Sequence, residues 1–534
     1  MHKIPLMICL KNPFKKDPLI LARSENGDNC ILSAEDILKF DKIIGFDFST
    51  CIDSLRSLKE LKLPFVIDIC TAKKLVAGKQ KKSFRVGAEP WNLRKILEGL
   101  DSKSKKWLND FFLLKISDPP STEILHSIMN SFQSAWDLLH SEMIKKNEDA
   151  RFYEVEAPIY NLFLKTQLRG ILVPKKQLMN KLHELKEEQY SNFKKLEFDF
   201  GFISQWIKAE MKWTDIEKYC NPKTIVIKDE IEYDFWQSIE IYSEYDPFLR
   251  ALLSARNAFL DYNALIKYAV NQYDKIYPQF DVMGTVTGRI LVSSPGVQYL
   301  KKTSRSIFSE QENNKFIYAD FDQFEPGIIA SLSNDQKLIE LYNSGDVYEE
   351  LSKLLFAQAA QRKIAKLIFL SYIYGMSIER LKQCISNIAG NDAAVKGMIF
   401  FDEFKQLCQW KDKVCKAAAK SGFAESYLGN RRYLNSQGNL LNSEKRWIPN
   451  QIVQGTASYI FKKSILEVYK IQSGAFFLIP MHDAILIEVH EENEAELCDA
   501  IKKVFCSTFE EVCPKIKANI TFEDFSTGKA LVPA

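Results

Sequence analysis

Two apolar runs, Ala475 to Met481 and Ala484 to Val489, are separated only by His482 and Asp483. Runs of that length around a two-residue break read as a β-hairpin, which puts Asp483 at the tip of a rigid support. A second segment constrains the chain in the same way. Lys315 to Asp322 reads as a strand with Phe316, Tyr318, Asp320 and Asp322 on one side of the pleat and Ile317, Ala319 and Phe321 on the other, closed by Pro326 and Gly327. Taken singly, such aspartates are most often caps or turn residues. If the hairpin lies beside the strand, Asp320 and Asp483 converge although far apart in sequence, and a divalent cation would relieve their repulsion. All-oxygen ligation suits magnesium.

With 534 residues, 46% of them hydrophobic and 26% charged, the chain is too long for one core and is expected to fold nearly throughout as several domains. The net charge of +3 is the remainder of 72 basic against 69 acidic side chains, which leaves local basic grooves open. Short clusters (Lys79, Lys81, Lys82; Lys103, Lys105, Lys106) fit solvated loops better than phosphate sites. The eleven cysteines never form Cys-x-x-Cys and the six histidines make no spaced ligand pair with them, so neither zinc nor a disulfide framework is indicated. Ile4 to Leu10 is too short to span a bilayer and lacks a cleavage site, and no apolar run reaches about 18 residues. A reducing cytoplasm fits best, with no membrane partner.

Punctuation and periodicity divide the chain into three regions. Up to about Ala150, strand-like runs (Ile43 to Phe46, Phe65 to Ile69) and a helical one (Ile124 to Ile144) predict a small α/β domain whose last helix leads straight into the next region. From Tyr153 to about Val270 the pattern is helical, with Leu178, Leu182, Leu185, Phe193 and Leu196 on one face and a second helix over Pro247 to Val270. The remainder mixes strands and helices. In it, Arg362 to Tyr374 lacks Gly and Pro and carries apolar Ile364, Ala365, Leu367, Ile368 and Ile373, which predicts a helix. Arg362 and Lys366, one turn apart, can reach the same triphosphate, and Tyr374 offers a flat surface for a base.

In this order, these segments resemble the motifs of family A DNA polymerases, the DNA polymerase I family. The resemblance begins at Tyr153-Glu154-Val155-Glu156-Ala157-Pro158 and Gly170-Ile171-Leu172-Val173, and continues through Thr285-Val286-Thr287-Gly288-Arg289 and Ser294-Pro295-Gly296-Val297-Gln298. Asp320-Phe321-Asp322-Gln323-Phe324-Glu325-Pro326-Gly327 is similar to the family's Asp-Tyr-Ser-Gln-Ile-Glu-Leu-Arg. It implies that Asp320 and the Phe321 carbonyl hold metal, that Gln323 lies at the nucleotide, and that Glu325 is the steric gate against a ribose 2′-hydroxyl. Arg362, Lys366, Leu370, Tyr374 and Gly375 match Arg-x-x-x-Lys-x-x-x-Phe-x-x-x-Tyr-Gly, with Leu370 replacing an aromatic. Tyr348, in Gly345-Asp346-Val347-Tyr348, stands where the family has a phosphate-contacting His. His482-Asp483-Ala484 resembles His-Asp-Glu with the Glu lost, and Asp322 is an extra carboxylate where the family has Ser.

The resemblance further implies DNA contacts by Arg289, Gln298, Arg446, Asn450, Gln454, His482 and Arg431, the last in Gly429, Arg431, Arg432, which looks like the family's Gly-Arg-Arg loop. Contacts in the minor groove test base-pair geometry without reading sequence. The fold implied is α/β and α+β multidomain. A right-hand polymerase has a palm with an antiparallel sheet (about 276–345 and 440–534), helical fingers (about 346–439) and a helical thumb (about 154–275). Together these make a polymerase domain over 151–534, behind a small degenerate 3′-5′ exonuclease-like domain over 1–150. Active relatives carry Asp-x-Glu at the first strand; Asp47-Phe48-Ser49 offers Ser there, and the first 150 residues contain no Tyr for the usual Tyr-x-x-x-Asp, so proofreading is expected to be lost.

The expected reaction is template-directed addition of dNTPs to a primer 3′-OH by a monomer. Two Mg2+ ions would serve it, with Mn2+ as a substitute, in the cytoplasm of a bacterial or phage-infected cell; primer-template DNA, dNTPs and replication accessory proteins are the implied partners. Two other readings share these residues: a single-subunit RNA polymerase of phage type, which also has a small residue after its hairpin Asp but is opposed by Glu325, and a non-catalytic nucleic-acid-binding relative, favoured by Ala484 and Leu370 and opposed by the retained acids and cations.

Overall fold

The computed structural model describes residues 4–11, 14, 17–56, 58, 61–78, 91–203, 211–221, 235–243, 246–269, 274–356, 361–435 and 438–531. Lys79, Lys81, Lys82 and Val270 lie outside them. The first layer is a five-stranded sheet of β1 (Leu6–Leu10), β2 (Leu19–Arg23), β3 (Asn29–Leu32), β4 (Lys42–Phe46) and β5 (Phe65–Asp68) in the order β3-β2-β1-β4-β5. β1 is central, antiparallel to β2 and parallel to β4, and all five of its residues are buried. A strand covered on both faces shows no alternation, which is why Leu6–Leu10 looks like a plain apolar stretch in sequence.

This placement corrects one expectation. Asp47 follows β4, the fourth strand, not the first; β1 and the residue after it, Lys11, carry no acid at all. Asp47 takes a positive φ of 53° and accepts a hydrogen bond from Ser49 Oγ (3.0 Å), while burial pushes its carboxyl up to about 7. Lys103 pairs at 3.2 Å with Glu123, both well exposed, on a solvated face.

The helix Thr122–Lys145, capped by Ser121 Oγ, covers the sheet and passes into a single π-helical turn, Phe152–Glu156, before the helix Ala157–Arg169. At this turn three charged side chains are fully buried: Glu156 accepts from Arg151 Nε (2.7 Å) and from Lys462 Nζ, and Lys462 also donates to the Val282 carbonyl (2.8 Å). Burial pulls the Lys462 ammonium down to about 8 although Glu156 opposes it.

β6 (Ile171–Leu172) then leads to the helix Lys175–Phe200, whose buried Leu178, Leu182, Leu185 and Leu196 follow the predicted face. It packs along the helix Pro247–Leu265, started by Pro247 and by Asp246, whose carboxylate accepts from the amides of Phe248 and Leu249. That helix ends at Leu265, earlier than the pattern predicts, and a 3-10 turn, Ile266–Tyr268, follows. β7 (Lys275–Ile276) pairs β6, and β8 (Gln279–Asp281) pairs β9 (Leu291–Ser293).

The central sheet contains β10 (Asn314–Phe321). After it come the two-stranded ribbon β11 (Phe423–Ser426) and β12 (Gly429–Tyr433), the hairpin β13 (Phe476–Met481) and β14 (Ala484–His490), and β15 (Ile520–Glu523). The sheet order is β13-β14-β10-β15 with every pair antiparallel. Ile317, Ala319 and Phe321 face one core, where Phe321 stacks on Phe324 (4.2 Å between ring centres) and on Phe505 (5.1 Å); Tyr318 faces another beside Phe525. The alternation read from the sequence is therefore a partition between two cores.

Candidate active site

The register brings the two aspartates together. Asp320 lies across from Ala484 on β14 and from Thr521 on β15, and the Phe321 amide donates to the Asp483 carbonyl at 3.3 Å. His482 and Asp483 form a two-residue turn between paired Met481 and Ala484, with His482 exposed at φ 52°, the positive angle a tight hairpin turn needs. Asp320 Oδ1 is buried and finds no hydrogen-bond partner among the described residues. Burial first, then the charge of Asp483, pushes the Asp320 carboxyl up to about 8; burial raises Asp483 as well, against the opposing charges of Lys366, Arg289 and His482.

A half-buried pair of acids with one buried, unpartnered oxygen has the chemistry of a hard-cation site. No cluster of three or more His, Cys, Asp or Glu side chains is gathered for a metal among the described residues, so backbone, water or phosphate oxygens would have to complete any shell. Ala484, directly opposite Asp320, is where a third acid would project. Asp322, read from sequence as an extra acid, spends both oxygens elsewhere, accepting from Asn519 Nδ2 and Thr521 Oγ1, while its amide donates to the Asn519 carbonyl at 3.0 Å. It acts on Asp320 by charge, as does Glu523.

The helix Arg362–Ile373 brings the charge of Lys366 within reach of both acids; it ends one residue before the predicted Tyr374, which caps it, and Gly375 follows at φ 91°. Ile364, Ala365, Ile368, Phe369, Tyr372 and Ile373 are buried, which leaves Arg362, Lys366 and Leu370 in a row on the open face. Arg362 Nε donates to Asp346 at 2.7 Å, and both Arg362 (5.2 Å) and Lys366 (5.6 Å) lie over the buried Tyr348 ring. Asp346 was not singled out by sequence reasoning. Its Oδ1 caps the helix Val347–Phe356 through the Tyr348 amide at 2.8 Å while Oδ2 holds Arg362, a double role that sequence spacing does not reveal. The Tyr374 hydroxyl is buried with no partner among the described residues.

Glu325, at the start of the helix Phe324–Ser333, pairs with Arg289, and burial raises its carboxyl against that pairing. Arg446, Asn450 and Gln454 form one row on the 30-residue helix Asn442–Ile471, with the Arg446 side chain against Gly375. Two residues expected at ligands are engaged within the chain. Gln298 accepts from the Val292 amide and donates to the Ile290 and Pro480 carbonyls, and Gln323 accepts from the Val347 amide and donates to the Gly345 carbonyl. Arg431 Nε pairs with Glu425 at 3.1 Å on the β11-β12 ribbon.

Comparisons with known proteins agree with this geometry. The sequence profile of DNA polymerase family A matches residues 173–523. DNA polymerase I of Borreliella burgdorferi is 27% identical over 92% of this chain and 55% of its own length, and that of Aquifex aeolicus is 23% identical over 76% of this chain and 71% of its own. The chain thus spans between half and three quarters of these relatives. A solved structure, the POL domain of Pol1 from M. smegmatis in complex with DNA primer-template and dNTP, superposes with a TM-score of 0.74 at 18% identity, covering 99% of this chain and 97% of that one. With an antiparallel sheet that carries Asp320 beside the hairpin turn of Asp483, and with the profile spanning most of its length, the chain belongs to DNA polymerase family A.

Proposed function

We propose that the chain extends a primer 3′-OH with dNTPs under the direction of a template strand, and that Asp320 and Asp483 are the metal-holding pair. The observation that carries this reading is the β10-β14 register, which sets two half-buried acids beside one another, one with an unsatisfied oxygen, within the field of Lys366 and Arg289. Their chemistry fits two Mg2+ ions, with Mn2+ as a substitute and the Phe321 carbonyl as a further oxygen ligand. Bound there, the ions would lower the pKa of the attacking hydroxyl and neutralise the leaving pyrophosphate.

The chain's own groups supply the rest. Arg362 and Lys366 bind the triphosphate, with Arg362 exchanging Asp346 for phosphate, and Tyr348 supports both cations from below. Tyr374 stacks on the base with Leu370 beside it, and Glu325 excludes a 2′-hydroxyl. Arg289, Arg446, Asn450, Gln454, His482 and Arg431 contact the primer-template, while Gln298 and Gln323, with their amides engaged internally, act by shaping the strands and turns around them.

The division into an exonuclease-like layer (1–150), thumb (about 154–275), palm (about 276–345 and 440–534) and fingers (about 346–439) goes with this reading, as do a monomeric state and replication accessory partners. Absence of any acid on β1 supports a layer without proofreading.

Primer extension with magnesium, comparing deoxy- and ribonucleotides, tests the proposal. Incorporation of deoxynucleotides alone is expected, and Asp320→Asn or Asp483→Asn should abolish it while primer-template binding persists. Full activity in either variant would refute the metal assignment, and no incorporation by the parent would leave a binding protein. Steady excision of a mismatched 3′ end in the absence of nucleotides would overturn the loss of proofreading.

A further inference from the structure

The β11-β12 ribbon, which carries Arg431 and Arg432, turns through three successive residues at positive φ: Leu428 (53°), Gly429 (93°) and Asn430 (57°). Only glycine takes that region freely, asparagine tolerates it, and leucine is strained there, so something must hold the turn. The holding groups come from the first layer and its outgoing helix. Glu148, just past the helix Thr122–Lys145 and 1% exposed, accepts from the Asn430 amide (2.7 Å) and the Arg431 amide (3.0 Å). A Cβ on Gly429 would lie 2.4 Å from Glu148 Oε2, so the turn is seated directly on this carboxylate. Arg151 Nη1 donates to the Tyr427 carbonyl at 3.2 Å. At the other end of the ribbon the Tyr433 amide donates to the Gly78 carbonyl at 3.2 Å, a Cβ on Gly78 would come within 2.2 Å of the Arg431 carbonyl, and Lys146 Nζ lies 4.8 Å from the Tyr433 ring centre.

We propose that the N-terminal layer serves as the seat of the arginine ribbon and that Glu148 is a positioning residue for duplex binding by Arg431. This assigns the layer a task that needs no nuclease chemistry, and it rests on the reading of Arg431 as a DNA contact. A buried carboxylate that accepts two backbone N–H groups fixes their direction, and its removal leaves both donors unsatisfied with the turn free to relax.

The test is primer-template affinity of the full chain, read by fluorescence anisotropy across a salt series for Glu148→Ala, Glu148→Gln, Arg431→Ala and the Glu148→Ala/Arg431→Ala pair. Glu148→Ala is expected to weaken binding roughly tenfold and to shift KM for primer-template more than kcat. It should lower the salt dependence as Arg431→Ala does, and add little when combined with it. Glu148→Gln, which keeps one acceptor and the shape, should lie between, and it carries the same test if the alanine variant fails to fold. Parental affinity in a Glu148 variant that melts normally, or full additivity with Arg431→Ala, would overturn the positioning role. Parental affinity in Arg431→Ala itself would instead remove the DNA reading of the ribbon, and the proposal with it.

Discussion

At the scale of single residues, Ala484 limits how many acids a cation held by Asp320 and Asp483 would face. It sits across from Asp320 on the neighbouring strand with its side chain on the same face. Ala484→Glu should therefore add a third carboxylate, and the magnesium concentration giving half-maximal extension should fall several-fold; an unchanged requirement would mean that the side chain at 484 does not reach the ions. Asp346 acts in the opposite sense, because the same guanidinium that would meet a triphosphate is held by this carboxylate. Asp346→Asn keeps an oxygen to cap the helix Val347–Phe356 but removes the charge that competes with phosphate. Because the ion pair is partly solvated, the gain is modest, and KM for dNTP should fall about threefold to fivefold. A rise in KM would show that Asp346 pre-aligns Arg362 instead of restraining it.

Elements differ in how much of their surroundings the sequence records. β10, the β13-β14 hairpin and the helix Arg362–Ile373 came out within a residue or two of their predicted limits, since alternation, a two-residue break and helical spacing are local properties. β15 was not anticipated. It is four residues long, and its Thr521 engages Asp322 across the sheet. Nothing near Asp322 in sequence discloses that partner. β1 was missed for another reason: buried on both faces, it lacks the pattern that identifies a strand, and so Asp47 was given the first strand's place. The helix Phe324–Ser333 illustrates a further property that only packing supplies. Gly→Ala inside a helix ordinarily stabilises by about 1 kcal/mol. At Gly327 a Cβ would lie 2.8 Å from Phe509 Cζ and 2.9 Å from the Tyr342 ring, both buried, so overpacking wins. Gly327→Ala should cost about 1–3 kcal/mol, read as a lower midpoint in denaturant with unchanged slope.

For the whole molecule, the acids whose carboxyls are raised by burial link stability to pH. Asp320 is raised in the folded chain to about 8, and Asp483 and Asp47 are raised too, so between the unfolded carboxyl range and about pH 8 the folded state binds more protons than the unfolded one. Metal-free stability contributed by these groups is therefore present at low pH and lost as pH rises. A cation between Asp320 and Asp483 needs them ionised, so the increase in Tm on adding Mg2+ should grow from pH 6 to pH 8.5 and shrink in Asp320→Asn. Thermal melts at several pH values with and without Mg2+ measure it, and a metal effect independent of pH would contradict the assignment. The fully buried cluster of Arg151, Glu156 and Lys462 has a different reach, since its charges come from two distant stretches of chain and the Val282 carbonyl that accepts from Lys462 comes from a third. Lys462→Met should lower stability by about 3–5 kcal/mol, because Glu156 is left in the interior with half its compensation. An ionic knot of this kind tolerates no partial assembly: whichever stretch arrives last must bring its charge into an already dry interior. Severing the chain between Glu156 and Val282 and producing the two pieces apart should thus leave Lys462 without its carboxylate and the C-terminal piece prone to aggregation, whereas co-production restores a soluble, non-covalent whole.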